Sequence, residues 1–302
     1  MQKYSIFNLI KNAFSNHEKW DLAWKDPTPK KEYDVVIIGG GGHGLATAYY
    51  LAKEHNVTNV AIIEKGWIGG GNVGRNTTII RSNYMHDDNA LFSEFGMDLW
   101  RRMSQDLNYN VMFSPRGIIN LAHSDAQMNT YARRGNSMRL NGIDAELLNR
   151  EQVREIIPMA DFSENVRFPI FGGLMQPSAG TARHDAVAWG YARQADSMGV
   201  DIIQNCEVTG FDIANGKING VRTSRGDIKV KKIGLCVAGS TNILAEKLNI
   251  NLPVETHLLQ ACVSEPVKPV LDRVVTFGAG HFYISQSDKG EMVMGGDLDG
   301  YN

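Results

Sequence analysis

The sequence predicts an α/β protein built around a strand–helix–strand unit near its N-terminus. Residues 34–64 contain an apolar run at Val35–Ile38, a glycine-rich turn, a helical pattern at Leu45–Lys53 and a second apolar run that ends in Glu64. The turn carries glycines at the spacing Gly-x-Gly-x-x-Gly. A strand, this turn and a helix, in that order, are typical of the Rossmann-like fold that binds dinucleotides.

Each glycine of the turn has its own predicted role. Gly39 permits a sharp exit from the strand, Gly41 lets backbone amides approach a pyrophosphate, and Gly44 lets the helix pack close to the strand. The helix N-terminus then offers unpaired N–H groups and the positive end of a dipole. Glu64 ends the second strand, where a carboxylate accepts hydrogen bonds from ribose hydroxyls. The alternative is a glycine turn without a ligand, but the strand, helix and acid in register disfavour it.

Composition excludes several classes of protein. The 302 residues suffice for two domains, and a net charge of −2 provides no basic surface for nucleic acid or an anionic membrane. The three cysteines are widely spaced among apolar residues, which predicts reduced core thiols in a cytoplasmic protein. Neither the cysteines nor the eight histidines show metal-ligand spacing, so we expect no metal. No apolar run is long enough to span a bilayer, and the N-terminus is a poor signal peptide.

The N-terminal segment, residues 1–32, precedes the first strand. Apolar residues at helical spacing predict a helix at Tyr4–Phe14, followed by Trp20 and Trp24. Two interpretations stay open, namely that this segment packs on its own domain or on a partner subunit. The first is the simpler.

A long glycine-rich loop, Lys65–Arg81, follows Glu64 at the point where an NAD-binding domain would begin its next helix. Such a backbone can lie flat against a large planar ligand, and Asn72, Thr77 and Thr78 supply hydrogen-bonding groups. The loop therefore favours FAD over NAD. A mobile surface loop is the alternative.

The rest of the chain predicts an FAD-binding domain assembled from separated segments, 33–116 and 176–248. An inserted α+β substrate domain takes residues 117–175 and 249–302. Helices are predicted at Leu91–Leu107, Tyr131–Leu140, Arg150–Ile157 and Thr181–Met198, the last with Thr181 as N-cap. Strands are predicted at Phe113–Leu121, Phe168–Met175, Val200–Gln204, Glu207–Ile213, Lys217–Ser224, Asp227–Val230, Ile233–Ala238, His257–Val263, Phe282–Gln286 and Glu291–Met294.

The motifs GGGGHGLATAYYLA, GWIGGGNVGRNTTIIRSNY, GTARHDAVAWGYAR, VDIIQNCEVTG and YISQSDKGEMVMGGDLDGYN together carry a family resemblance. The chain resembles the β subunits of heterotetrameric sarcosine oxidases, which belong to the D-amino-acid-oxidase-like group of FAD amine oxidoreductases. The resemblance covers essentially the whole chain from Tyr4. It implies a GR2-type FAD-binding domain, non-covalent FAD and, in addition, FMN attached covalently to a histidine.

The resemblance also implies which residues contact the cofactors. His184 would carry the FMN, although a histidine at a helix start otherwise serves as a cap, and Asp185 would cap the helix or orient His184. Arg81 matches the arginine that faces the amine substrate, where it would bind the carboxylate or tune the flavin. The implied FAD contacts are Gly42 and His43 in the turn, Glu64, Asn72, Thr77, Ile79, and Val208 beside the adenine.

Two departures from the family pattern matter. Full-length β subunits continue beyond the position of Asn302, so we expect this chain to be a fragment. Single-subunit relatives carry a lysine for oxygen activation on the last strand, where this chain has MVMGG. That difference makes oxygen chemistry at the FAD doubtful and suits a protein that passes electrons to a second flavin.

The implied function is oxidative demethylation of sarcosine in a complex with α, γ and δ subunits. The α subunit would transfer the one-carbon unit to water or tetrahydrofolate, and electrons would pass from FAD to FMN and then to oxygen, giving hydrogen peroxide. One alternative is an FAD dehydrogenase of another secondary amine or imino acid. Another is an inactive, truncated flavoprotein subunit.

Overall fold

A computed structural model describes residues 5–18, 24–278 and 280–298. The chain divides into two compact units, Met1–Val73 with Tyr191–Pro253 and Gly74–Gly190 with Val254–Asn302. The domain borders predicted at residues 116 and 176 both lie inside the second unit. The division into a cofactor domain and a substrate domain stays a prediction, since compactness does not assign a ligand.

The strands, in chain order, are β1 (Glu32–Ile38), β2 (Val60–Ile63), β3 (Ile79–Ile80), β4 (Ile118–Ala122), β5 (Glu146–Asn149), β6 (Gly172–Gln176), β7 (Gly180–Thr181), β8 (Asp201–Ile203), β9 (Val208–Ala214), β10 (Lys217–Thr223), β11 (Gly226–Leu235), β12 (Leu259–Val263), β13 (Val274–Phe277), β14 (Phe282–Gln286) and β15 (Met292–Leu298). The helices are α1 (Ile6–Phe14), α2 (Gly42–His55), α3 (Asp87–Asp106), α4 (Asp125–Leu140), α5 (Arg150–Ile156), α6 (His184–Ser197) and α7 (Thr241–Glu246). Short 3-10 helices lie at Asn72–Arg75 and Ala238–Ser240.

The first unit contains a six-stranded sheet in the order β8-β2-β1-β11-β10-β9. The four strands β8, β2, β1 and β11 are parallel, and β11, β10 and β9 form an antiparallel meander. Strand β2 is completely buried, and β1 is buried at Tyr33 and from Val36 to Ile38, which explains why both appear in the sequence as apolar runs rather than alternating patterns. The predicted α/β fold is confirmed by this sheet.

Strand β11 corrects one prediction. The sequence suggests two strands, Asp227–Val230 and Ile233–Ala238, because Lys231 and Lys232 interrupt the apolar pattern. The structure shows one strand that pairs antiparallel with β10 and parallel with β1. Both lysines are exposed, and Lys231 Nζ lies 2.6 Å from Asp34 Oδ1. Consecutive side chains of a strand point to opposite faces, so both charges reach solvent without ending the strand.

The sequence also predicts hairpin turns at Asn215-Gly216 and Arg225-Gly226; the first is confirmed, and the second lies one residue earlier, at Ser224-Arg225. Asn215 and Gly216 have φ values of 54° and 70°, and Gly226 has φ 109°. A turn of this kind requires the left-handed region, which asparagine and glycine reach at low energetic cost.

The second unit contains a seven-stranded sheet in the order β12-β15-β14-β13-β4-β6-β5 and the small ribbon β3-β7. Helices α3 and α4 begin earlier than predicted, at Asp87 and Asp125, because polar residues that precede the apolar stripe form their first turns. The Ser124 hydroxyl caps α4 by accepting from the Gln127 N–H at 3.2 Å. Strands β5 and β13, of four residues each, were not predicted.

The surface of α1 bears on the two interpretations of the N-terminal segment. No residue of this helix is buried, and its apolar side chains are exposed, Phe14 by 88 %. Packing of α1 on its own domain is therefore not seen, and packing on a partner subunit stays a prediction. Tyr4 and Trp20 lie outside the described residues. No helix in the described part of the chain is long and apolar enough to cross a membrane.

The cysteine prediction is wrong for one residue. Cys206 is buried and Cys236 half-buried, but Cys262 is exposed on strand β12. All five residues of β12 are exposed, so the apolar neighbours of Cys262 do not mark a core position in the described structure.

Gln286, at the end of β14, holds the segment that precedes β13. It is 4 % exposed, and its Oε1 accepts from the N–H groups of Val270 at 2.8 Å and Leu271 at 3.1 Å. Its Nε2 donates to the carbonyl oxygens of Val267, Lys268 and Gly290 at 3.0–3.3 Å. One buried amide thus replaces the backbone pairing that this irregular segment lacks.

We predict that Gln286→Ala lowers the free energy of unfolding by about 2–4 kcal/mol, because it leaves several buried backbone groups without partners. The measurement is the urea unfolding midpoint. Gln105→Ala, at an exposed position of α3, is the control and should leave the midpoint unchanged. Equal midpoints for the two variants would contradict the assigned role.

Candidate functional site

The glycine turn between β1 and α2 has the geometry predicted for a phosphate-binding turn. Gly39 has φ 110°, and an added Cβ would collide with the carbonyl oxygen of Cys236. A Cβ on Gly44 would collide with the carbonyl oxygen of Gly39 and approach the side chain of Ile37 to 3.3 Å. The sharp exit at Gly39 and the close helix–strand packing at Gly44 are therefore both confirmed.

The N-terminus of α2 is left open for a ligand. Its N-cap is Gly41, and among the residues that the structure describes no side chain caps the helix. Because the first amides of a helix have no intrahelical acceptor, those of this turn are free to bind an anion. A Cβ at Gly41 would meet no atom within 4 Å, so open space lies directly beside this backbone. His43 is exposed, and its side chain is not needed to form the turn.

Glu64 joins the two glycine-rich loops of the first unit. Its Oε2 accepts from the Gly40 N–H and its Oε1 from the Gly66 N–H, both at 2.7 Å. A carboxylate oxygen accepts more than one hydrogen bond, so these contacts leave capacity for a hydroxyl group. The structure shows that Glu64 stabilises the turn, whereas its role at a ribose stays a prediction.

The loop after Glu64 returns to the phosphate-binding turn. The Gly69 N–H donates to the Gly40 carbonyl oxygen at 3.0 Å, and a Cβ on Gly42 would lie 2.9 Å from the Val73 side chain. Asn72 is exposed at the start of the 3-10 helix. This part of the loop is therefore packed on the turn, which disfavours the interpretation of a mobile surface loop.

Val208, predicted beside an adenine, is the first residue of β9. It is 6 % exposed and packs in the core of the first unit with apolar residues of β1, β2 and β11. The structure gives it a core role, and adenine contact stays a prediction.

In the second unit, the ribbon β3-β7 brings the end of the predicted cofactor loop next to the start of α6. Ile79 pairs with Thr181, and the Ala182 N–H donates to the Thr78 carbonyl oxygen at 3.2 Å. Ile79 is half-buried against Ile118 and other core residues. The ribbon therefore places Thr77, Ile79 and His184 on neighbouring segments, which the sequence alone did not indicate.

His184 is the first residue of α6, so the predicted start at Thr181 is wrong. Thr181 pairs in β7, and this pairing ends only three residues before the helix begins. His184 is half-buried, and neither of its ring nitrogens has a hydrogen-bond partner among the residues that the structure describes. An imidazole nitrogen is thus available for another bond.

Asp185 does not orient the His184 ring through a hydrogen bond in the described structure. Its Oδ1 accepts from Arg183 Nε and from the Ala186 N–H, both at 2.9 Å. Burial opposes ionisation of Asp185, but these hydrogen bonds and the Arg183 charge outweigh it and lower the pKa of the carboxyl. Arg183 also pairs with Asp288 at 3.0 Å. The helix start is thus held by a carboxylate–guanidinium network beside His184.

Arg81 lies at the end of the loop and is half-buried. Its Nη1 donates to Asn83 Oδ1 at 2.6 Å, and its guanidinium carbon lies 4.7 Å from the ring centroid of Tyr84. Arg81 also lines an apolar depression with Ile79, Phe92 and Trp100. A guanidinium beside an apolar depression suits a ligand that joins a carboxylate to a small apolar part.

Sequence analysis missed Asn83, Asn120 and Arg134, which the structure connects to Arg81. Asn83 Nδ2 donates to Asn120 Oδ1 at 2.7 Å, and Arg134 Nε donates to the Asn83 carbonyl oxygen at 2.6 Å. These residues come from a loop, a strand and a helix, so no spacing along the chain connects them. The one available signal was the polar pair Ser82–Asn83, which follows Ile79–Ile80 and Arg81.

Comparison with known proteins identifies the family. The family model described as DAO, FAD dependent oxidoreductase, matches residues 34–302. The chain is 60 % identical to sarcosine oxidase subunit beta of Rhizobium meliloti (strain 1021), over 99 % of this chain and 72 % of that protein. The chain belongs to the FAD-dependent oxidoreductase family that includes the sarcosine oxidase β subunits. The family of the predicted resemblance is thereby confirmed, and the chain is a flavin-dependent amine oxidoreductase.

A further relative and two solved structures are also similar to this chain. Sarcosine oxidase subunit beta of Arthrobacter sp. is 51 % identical over 93 % of this chain and 70 % of that protein. The crystal structure of L-proline dehydrogenase from P. horikoshii has a TM-score of 0.84 and 27 % identity, and the match covers 91 % of this chain and 73 % of that one. Glycine oxidase from Bacillus cereus ATCC 14579, with a TM-score of 0.77 and 22 % identity over 89 % of this chain and 73 % of that one, shows the shared fold alone.

We predict that Gly44→Ala prevents stable folding of the first unit, since the methyl group would collide with the Gly39 carbonyl oxygen. Far-UV circular dichroism and limited proteolysis of the purified protein measure this. Gly41→Ala, in the same turn but facing open space, is the matched control and should fold like the unaltered chain. A Gly44→Ala protein that resists protease as well as its control would contradict the packing argument.

Proposed function

We propose that this chain is the subunit of a sarcosine oxidase in which sarcosine is oxidised. The products are glycine, hydrogen peroxide and a one-carbon unit, released as formaldehyde or carried as methylenetetrahydrofolate. The observation that carries the proposal is the 60 % identity to a sarcosine oxidase β subunit over 99 % of the chain. When bound, FAD would supply the hydride acceptor for this reaction, and FMN would supply the route for electrons to oxygen.

The first unit would hold the diphosphate of FAD. The open space beside Gly41 and the uncapped amides of α2 fit an anion, which supports backbone contacts from Gly39, Gly41, Gly42, His43 and Gly44. Glu64 would accept from the ribose, and Val208 would lie near the adenine. The other proposed contacts are Asn72, Thr77 and Ile79.

His184 would carry the FMN through a ring nitrogen. Support comes from its half-buried position at the start of α6 and from the absence of a ring hydrogen bond in the described structure. The neighbouring Arg183 and Asp185 hold the backbone of this helix start. A rigid backbone at that position would keep the imidazole in one orientation toward the flavin.

Arg81 would act on the substrate through its charge. A guanidinium binds a carboxylate with two parallel hydrogen bonds, and it also disfavours the protonated form of a nearby amine. Oxidation requires the neutral amine, so both effects assist the reaction. The protein thus supplies position and electrostatics, while the flavins supply the redox chemistry.

The proposed setting is a cytoplasmic heterotetramer. The name subunit beta of the relatives supports assembly with other chains, for which we propose α, γ and δ subunits. Tetrahydrofolate would bind to the α subunit. Neither nucleic acid nor a membrane is a proposed partner.

The test is anaerobic addition of sarcosine to the purified complex. We expect bleaching of the flavin absorbance and, once oxygen is admitted, equal amounts of hydrogen peroxide and formaldehyde in the absence of tetrahydrofolate. Arg81→Gln should raise the KM for sarcosine about 10- to 100-fold, because it removes hydrogen bonds to a charged group. A complex that contains oxidised flavin but is not bleached by sarcosine would refute the proposal.

A second candidate, a dehydrogenase of another imino acid, is favoured by the structural similarity to L-proline dehydrogenase. The same experiment with L-proline in place of sarcosine separates the two. Bleaching by L-proline alone, without hydrogen peroxide in air, would favour this candidate. A purified chain that binds no flavin would favour an inactive subunit.

We predict that flavin stays attached to this chain after acid precipitation of the complex, and that His184→Ala abolishes this retention. Fluorescence of the denatured polypeptide on a gel measures it. His55→Ala, an exposed histidine at the end of α2, is the control and should retain the flavin. Retention in the His184→Ala protein would show that the attachment site is elsewhere.

A further inference from the structure

A continuous path of side-chain hydrogen bonds crosses the interior of the second unit and ends at Arg81. Asn120 and Thr276 are direct partners across the parallel pair β4 and β13, and Asn120 Nδ2 donates to Thr276 Oγ1. Thr276 Oγ1 in turn lies 3.5 Å from the carbonyl oxygen of Ile119. At the other end, Asn83 joins Asn120 to Arg81.

The donor and acceptor roles along this path are fixed at Thr276, the end farthest from Arg81. The Ile119 carbonyl can only accept, so Thr276 presents its oxygen to Asn120 Nδ2. Asn120 must then turn its Oδ1 toward Asn83, and Asn83 must turn its own Oδ1 toward Arg81. Asn83 is 1 % exposed, so water does not compete for its amide. The sheet therefore sets the orientation of the atom that receives the Arg81 hydrogen bond.

Asn83 also binds a second guanidinium. Arg134 of α4 donates through Nε and Nη2 to the Asn83 carbonyl oxygen. Burial, and then the charge of Arg81, lower the pKa of Arg134. Neither arginine forms an ion pair within residues 5–18, 24–278 and 280–298. Two neighbouring positive charges are thus held by one neutral residue and left uncompensated.

Such an arrangement costs stability, since buried like charges without a carboxylate are unfavourable. It becomes favourable when an anion binds. An aspartate at position 83 would accept the same Arg81 hydrogen bond but would neutralise the charge. A neutral amide orients the guanidinium and leaves its charge for a ligand, which gives a physical reason for asparagine at this position.

We propose that Asn83 is a positioning residue that holds Arg81 for the carboxylate of the amino-acid substrate, with Arg134 adding a second positive charge. The proposal rests on the proposed function, in which the substrate is an amino acid oxidised at its nitrogen. It goes further by assigning the substrate charge to a pair of arginines that both bind Asn83, Arg81 through the side-chain amide oxygen and Arg134 through the main-chain carbonyl oxygen.

The test uses the complete complex and measures kcat and KM for sarcosine and the inhibition constant of acetate, a ligand that offers only a carboxylate. We expect Asn83→Leu to raise the KM and the acetate inhibition constant together by about 10- to 100-fold, with kcat changed less. Asn83→Asp should raise the acetate inhibition constant at least as much, because the new carboxylate pairs with Arg81. Thr276→Val, which leaves Asn83 in place, should raise the KM for sarcosine and the acetate inhibition constant by a smaller factor.

Two further variants separate positioning from a structural role. Asn149→Ala removes the capping box of α5 in the same unit and is the control for lost stability, with KM expected to stay unchanged. In an Arg81→Gln background, Asn83→Leu should have no further effect on acetate, because the group through which it acts is gone.

An additive effect in the double variant, or an equal rise in KM for Asn149→Ala, would overturn the proposal. If the Asn83→Leu protein does not fold, Thr276→Val is measured with Arg81 present and with Arg81→Gln. An additive effect on acetate inhibition would then overturn the proposal. A complex that oxidises L-proline instead of sarcosine would refute the proposed function alone, and the same series would then be measured with L-proline. A complex that oxidises no amino acid would refute both.

Discussion

The contact between Gly44 of α2 and the carbonyl oxygen of Gly39 is the constraint on which the first unit depends. The missing Cβ of Gly44 lets the helix pack against the end of β1, so the uncapped amides of α2 lie next to the turn. Glu64 then ties the turn to the following loop through the amides of Gly40 and Gly66. A single carboxylate and a few missing Cβ atoms are enough to shape a backbone surface suited to a diphosphate.

The candidate site of the second unit is formed by side chains rather than by backbone groups. Hydrogen bonds link the sheet to Arg81 through the side chains of Asn120 and Asn83. Arg134 of α4 also binds Asn83. Buried amides and guanidinium groups stabilise a fold poorly compared with apolar residues of similar size. This cost in stability is what the proposed role of the interior in ligand binding explains, since functional sites commonly sacrifice stability.

The sequence predicted the first unit better than the second, for physical reasons. The turn, its glycines and Glu64 follow one another along the chain, and each acts on its neighbours, so local pattern was sufficient. The same holds for the hairpin at Asn215-Gly216. Strand β11 was divided in two because exposed lysines interrupt its apolar pattern.

Contacts between distant segments were not predictable in this way. The pairing of β3 with β7, which moves the start of α6 to His184, depends on residues about a hundred positions apart. Asn83, Asn120 and Arg134 have no common spacing, and a buried asparagine looks the same in a sequence as an exposed one. The family could be predicted from whole motifs, whereas the residues that support Arg81 could be identified only from the structure.

Strand β11 has a consequence for biosynthesis. It pairs Lys229 with Glu32, so the central strand β1 lacks its neighbour on one side until the meander has been made. A nascent chain emerging from the ribosome would therefore carry β1 as an open edge until β11 is made, which includes the synthesis of Gly74–Gly190, the first segment of the second unit. Such an edge is a template for intermolecular pairing, and closing it requires a large loop to form. Assembly of the nucleotide cradle is thus a late event for this chain, and its newly made form is the stage at which aggregation is the main hazard.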